Sequence, residues 1–189
     1  DDQDPAIFSA GVLLDYLGET TKSRLDHVKS IYRYGENDFM GLDESTQKNL
    51  ELSKNMRDGT RDFTLIQVLD NTKTSMGARK LHTWLLHPLL TVKKIEERQK
   101  KVSFFYKHQR LLSQIRAYLS EILDLQRLTA RVAVDKAHAK DLLAICQTIE
   151  TFFQIQKVLK EWDSQELYLS LKQAEIKILI EVHTLLKDS

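Results

Sequence analysis

One cysteine, two prolines and six glycines in 189 residues leave little with which to staple, break or bend this chain. With Cys146 alone, no intrachain disulfide can form. A single cysteine among apolar helical positions reads as a small core residue. So few helix breakers leave long helices uninterrupted. No apolar run approaches the roughly 20 residues that a membrane-spanning helix needs, and no signal-peptide pattern is visible, so the expected setting is intracellular.

Chemical motifs are missing too. There is no G-x-x-x-x-G-K-[ST] phosphate loop, no G-x-G-x-x-G turn and no G-x-S-x-G elbow. No H-E-x-x-H helix and no paired cysteines mark a zinc site. His82 and His87 are five apart, not the four that would stack two ligands on one helical face. Glu96 and Glu97 are adjacent and point to different sides of a helix, so they make no acid–base pair. His138 lies near Asp135 and Asp141, where capping is the expected role. The expectation is a non-enzyme with no catalytic, metal or cofactor-binding residues.

What is present is apolar periodicity and charge. The chain is 42% hydrophobic and 29% charged with a net charge of +1, which suits one well-solvated domain and no whole-molecule attraction to nucleic acid. The average hides an asymmetry. Residues 1–62 hold 8 Lys/Arg against 13 Asp/Glu, whereas residues 93–116 hold 8 against 2. Lys93, Lys94, Arg98, Lys100 and Lys101 are therefore candidate phosphate contacts. A solvated face or a dock for an acidic neighbour fits them equally.

Asp4-Pro5 reads as a helix start, and Ile7, Ala10, Leu14 and Leu17 recur on one helical face up to Gly18 and Thr20-Thr21. Residues 28–42, around Gly35-Glu36-Asn37-Asp38, predict a small extended or β insert. Asp43–Ser53 predicts a short helix leading into an extended stretch, and Arg57-Asp58-Gly59-Thr60 a loop. Beyond residue 63 only helices are predicted. A short one carries Leu65, Ile66, Val68 and Leu69. A longer one carries Met76, Leu81, Trp84 and Leu85, and closes at His87-Pro88. The next starts at Thr91, with Lys94 where a capping box would want Glu, and breaks near His108-Gln109. Asp124 predicts the cap of a helix carrying Leu125, Leu128 and Val132. Two long stripes close the chain: Leu142, Ile145, Ile149, Phe152, Ile155 and Leu159, then Leu167, Leu171, Ala174, Ile178, Val182 and Leu185. The second runs almost to the last residue without a Gly cap or Pro stop, a pattern that suits a piece of a longer chain as well as a natural terminus.

Residues Leu69, Asp70, Thr72, Thr74, Met76, Gly77 and Arg79, continued by Trp84, Leu85, Pro88, Leu89, Ile95 and Arg98, resemble the core, or lever, region of the MutS mismatch-repair family. Ala10–Leu17, Leu42-Asp43 with Thr46 and Asn49–Leu52, Asp124-Leu125 with Arg127-Leu128 and Arg131-Val132, and Asp141–Leu143 resemble it as well. The likeness covers roughly residues 6–185 in consistent order.

The resemblance implies a mainly α fold over residues 1–189: a multi-helix core with long helical levers. It implies a fragment without mismatch-binding, clamp or ATPase domains. The family's Phe-x-Glu mismatch reader is absent, since no Phe here has Glu two positions on. ATP and magnesium, mismatched-duplex binding and dimerisation are implied for the parent protein alone. A bacterial parent would be cytoplasmic, a eukaryotic one nuclear or organellar. The implied role is transmission between DNA-embracing and nucleotide-hydrolysing parts, through Asp70, Thr72, Gly77, Arg79, Trp84, Pro88, Asp124, Arg127 and Arg131.

The residues themselves fit this. Glycine costs about 1 kcal/mol in a helix relative to Ala, so Gly77 predicts close approach of a neighbouring backbone. Asp70 is a candidate cap for the Met76 helix. Arg79, Arg98, Arg127 and Arg131 are candidates to pair with Asp70, Asp124 or glutamates where helices cross. The fragment is expected to be monomeric. The rivals are a helical interaction scaffold using the 142–159 and 167–185 stripes, and a DNA-binding module using residues 93–116.

Overall fold

Nine helices account for most of the described residues, which are 5–21, 31, 39–162 and 173–187 of the computed structural model. In chain order they are α1 (Pro5–Thr21), α2 (Glu44–Asn49), α3 (Leu65–Leu69), α4 (Ser75–Leu86), α5 (Val92–Lys107), α6 (Gln109–Glu121), α7 (Leu125–Ala133), α8 (Ala139–Glu161) and α9 (Gln173–Lys187). The fold is mainly α. The chain divides into two compact units, Asp1–Gly35 and Glu36–Ser189.

The first unit contains α1, which begins at Pro5 and runs through Gly18 to the threonine pair. Ala10, Leu14 and Leu17 are half-buried, as the spacing predicts, while Ile7, Phe8 and Tyr16 are exposed. Most of the expected insert at 28–42 lies outside the described residues. Its end is described: Phe39 forms an isolated antiparallel bridge with Leu89, and the Met40 N–H donates to the Pro88 carbonyl at 2.8 Å.

In the second unit, helix starts follow side chains that can accept an orphan backbone N–H. Asp43 accepts from Thr46, Thr64 from Gln67, Thr74 from Gly77 and Asp124 from Arg127. The Asp141 carboxylate takes the His138 N–H at 2.9 Å, the capping role expected of that pair. Two expectations need correction. Thr91 occupies the N-cap position of α5 without a side-chain capping bond. Asp70 does not cap α4, because Thr74 stands one residue before that helix and Asp70 is engaged elsewhere.

After α2 the chain turns rather than extends. Leu52 is buried, and the Leu52 and Glu51 carbonyls accept from Ile66 and Leu65 at the start of α3. Asn55, also buried, organises the loop beyond. Its amide nitrogen donates to Thr60 Oγ1 and the Asp62 carbonyl, both at 3.0 Å. Its oxygen accepts from the Asp58 and Gly59 N–H groups at 2.9 and 3.1 Å. Gly59 has φ +72°, a left-handed turn that glycine adopts without a Cβ clash.

The core lies between the long helices. Helix α8 packs against α6, α7 and α9, and α5 against α6. Leu111, fully buried, meets Ile115 and Val158, ringed by Phe104, Phe105, Tyr118, Leu119 and Leu159. Burial of one such leucine stabilises the fold by about 1.5–3 kcal/mol. Ile145, Cys146, Ile149 and Ile155 extend the buried face of α8, with Phe152 and Leu159 half-buried, so the cysteine and most of the first stripe are core as read, whereas Leu142 at its start is exposed. The break between α5 and α6 falls at His108, with neither proline nor glycine. Its ring sits against Phe104 at 4.5 Å and Trp162 at 5.6 Å, and Nδ1 lies 2.7 Å from the Phe104 carbonyl. The same carbonyl also accepts the His108 backbone N–H at 3.2 Å, so the ring adds a second contact at the end of α5.

Candidate interhelix coupling junction

Asp70 closes the short α3 and collects donors from both directions. Its Oδ1 accepts from the Thr72 hydroxyl at 2.6 Å and the Thr72 N–H at 3.1 Å, and its Oδ2 from Arg61. The Thr72 hydroxyl, with Arg61 beside it, holds the Asp70 carboxyl at about 2 against the usual 3.8. A turn of this kind is built by short polar side chains returning to their own backbone. From the far side Arg116 on α6 donates to the Asn71 carbonyl at 3.0 Å.

One turn into α4, Arg79 reaches the start of α7. Its guanidinium takes the Asp124 carboxylate in a fork, with 2.8 Å from Nη1 and 2.7 Å from Nη2, and also binds Gln126 Oε1. The planar fork is what arginine supplies and lysine cannot. Asp124 also accepts from the Arg127 N–H as the cap of α7, and Arg127 Nε stands 3.4 Å from it. The Arg79 hydrogen bonds hold the Asp124 carboxyl at about 2, and Asp124 raises Arg79 in return. Arg131, one turn further, pairs with Asp141 at 2.9 Å and so joins α7 to α8. An open groove lined by Arg61, Asp70, Arg79, His82 and Thr83 runs beside the junction.

Gly77 meets its neighbour, but not the backbone expected. A Cβ there would lie 2.9 Å from Thr74 Oγ1 and 3.6 Å from Thr72 Cβ. The crowding partner is its own capping hydroxyl, so the glycine serves the cap of α4. Trp84 lies under the guanidinium of Arg98, 3.8 Å from the ring centroid, which joins α4 to α5. Arg98 therefore stacks instead of forming the ion pair expected of it. Pro88 ends α4 and lends its carbonyl to Met40.

Lys93, Lys94, Lys100 and Lys101 are exposed on α5, whereas Arg98 is half-buried against the tryptophan. Pairs seven apart keep the four lysines on one helical face, with Glu97 in its middle. That glutamate dilutes the face where a phosphate would sit. Among the described residues, one group places three metal-competent atoms together: Cys146, Glu150 and His183. His82 and His87 do not belong to it.

Sequence reasoning named the Arg79–Asp124 contact between helices among its alternatives; Arg127 meets Asp124 only within the start of α7, and Arg131 pairs with Asp141 rather than with any of the acids expected of it. Sequence reasoning missed Arg61, Arg116 and Gln126, whose roles depend on which helices cross, and it missed Asn55, whose burial no periodicity marks. The arrangement is a chain of capped helix starts tied by charge-assisted hydrogen bonds, and such a module orients helices.

That class of module has a family. The chain belongs to MutS domain III, whose family model matches residues 45–188. It is 38% identical over 185 residues, 98% of its length, to the DNA mismatch repair protein MutS of Treponema denticola, and to the same degree to that of Treponema pallidum. The MutS of Symbiobacterium thermophilum is 40% identical over 167 residues, 88% of the chain. The chain spans about 20% of the length of the first two relatives and 19% of the third. No described helix is long and apolar enough to cross a membrane.

Proposed function

We propose that this domain transmits conformational state between DNA-engaging and ATP-hydrolysing parts of a bacterial, cytoplasmic MutS-like mismatch repair protein. ATP, magnesium, mismatched duplex and the dimer contact belong, in this reading, to the remainder of the parent chain. The observation that carries it is the double duty of Asp124, at once the cap of α7 and the anchor of Arg79 on α4. A shift of α4 along its axis cannot leave the start of α7 in place while that fork is closed. Coupling needs such a shared element with discrete arrangements, not a reactive group.

The test uses the full-length parent carrying Arg79→Ala or Asp124→Ala. Site–site coupling is typically worth about 5–150-fold. The change in ATP turnover on adding mismatched duplex should shrink several-fold, with basal turnover and duplex affinity retained. Unchanged coupling in both variants would overturn the reading. A steep salt dependence of duplex binding, lost on replacing Lys93, Lys94, Lys100 and Lys101, would move the assignment to direct phosphate contact.

A further inference from the structure

Cys146 and Glu150 stand one helical turn apart on α8, so their side chains share a face. His183 on α9 reaches that face, with Nε2 3.1 Å from Glu150 Oε1. The cysteine sulfur, a glutamate oxygen and a histidine nitrogen all lie within 4.8 Å of one another. Tetrahedral zinc, with bonds of about 2.0–2.3 Å, holds its ligand atoms roughly 3.3–3.8 Å apart. Binding would draw these atoms together by side-chain rotation.

We propose that Cys146, Glu150 and His183 form a binding site for a borderline-soft divalent cation of the zinc type, which ties α9 to α8. Thiolate and imidazole donors select such ions over calcium or magnesium. Cys146 is buried, His183 is 18% exposed and Glu150 43%, so the set is dry behind and open in front, where water completes the coordination. The Phe153 ring stands edge-on to His183 at 6.2 Å and 89°, which fixes the imidazole plane. On binding, the Cys146 thiol proton leaves to solvent and the sulfur coordinates as thiolate. Lys187 Nζ stands 2.8 Å from Glu150 and is the resident cation of the cluster. It is 56% exposed on a long stem, so it can swing into water when a metal ion enters.

The experiment titrates the reduced, chelator-treated 189-residue chain with cobalt(II), a spectroscopic substitute for zinc. The expected result is a saturable one-to-one rise of a near-ultraviolet thiolate-to-cobalt band with tetrahedral visible bands, all erased by zinc. Cys146→Ala should abolish the charge-transfer band. His183→Gln and Glu150→Gln should each weaken binding by more than the roughly 10–100-fold that an outer-shell partner is worth. Lys187→Leu, which leaves the three ligands in place and adds no donor atom, should tighten it by removing the ammonium that pairs with Glu150. Circular dichroism confirms that each variant remains helical. Absence of the thiolate band in both the parent chain and Lys187→Leu would overturn the proposal, as would unchanged affinity in Cys146→Ala.

Discussion

Arg79 and Asp124 stand 45 positions apart in the chain and meet through two near-parallel hydrogen bonds of 2.8 and 2.7 Å. This contact between α4 and the start of α7 is geometric as much as electrostatic. Asp124→Asn keeps a capping oxygen and loses the charge, whereas Asp124→Ala loses both. Thermal melting should therefore rank parent above Asp124→Asn above Asp124→Ala. Arg79→Lys should fall below the parent, because an ammonium cannot make the fork. Equal melting temperatures for Asn and Ala would show that the cap is idle.

Acid should loosen the same junction. Asp70 and Asp124 are both held at about 2, below the usual 3.8, by Thr72 with Arg61 and by Arg79 respectively. Groups with depressed values stabilise the fold above the unfolded value and lose that contribution as pH falls through the folded one. Melting temperature should therefore drop between pH 4 and pH 2, and the drop should be shallower in Asp70→Asn and Asp124→Asn. Identical acid slopes in parent and variants would place the sensitivity elsewhere.

Gly77 and Thr74 should be coupled. Gly77→Ala gains about 1 kcal/mol of helix propensity, but its methyl meets Thr74 Oγ1 at 2.9 Å and displaces a cap worth about 1 kcal/mol. The single variant should be close to neutral. In a Thr74→Ala background the clash is gone, and the same change should stabilise by about 1 kcal/mol. Urea unfolding of the four proteins gives the coupling directly. Strict additivity would mean that the hydroxyl moves aside at no cost.

Asn55 holds its loop with both ends of a buried amide. Asn55→Ala should destabilise by about 1–3 kcal/mol, since buried partners lose their hydrogen bonds. Asn55→Asp should cost more, because a carboxylate would face the Asp62 carbonyl with no proton to give. An Asp variant as stable as the parent at neutral pH, measured by urea unfolding, would contradict the bonding scheme.

Local rules made several features legible in the sequence. Pro88 ends α4, Asp124 caps α7, and Pro5 and the threonine pair bound α1, because each acts on backbone within one turn. The stripe through Ile145, Ile149 and Ile155 identified a buried face, because helical period alone decides which residues share a side. Thr91 was read as a capping side chain from the same rules, yet it makes no such bond.

Between elements the case is different. Nothing near Trp84 names Arg98 as its stacking partner rather than an acid's ion partner. Nothing near Asp70 names Arg61 across the Asn55 loop. Cys146 and His183 are 37 residues apart, beyond any motif spacing.

Composition and periodicity thus settled that this chain is a set of capped amphipathic helices with a hydrophobic core, since those properties are local and the water around the chain enforces them. Which arginine grips which aspartate, and which three side chains converge between α8 and α9, came from the packing of helices. That packing is a collective minimum over contacts distant in sequence, and no short window of residues contains it.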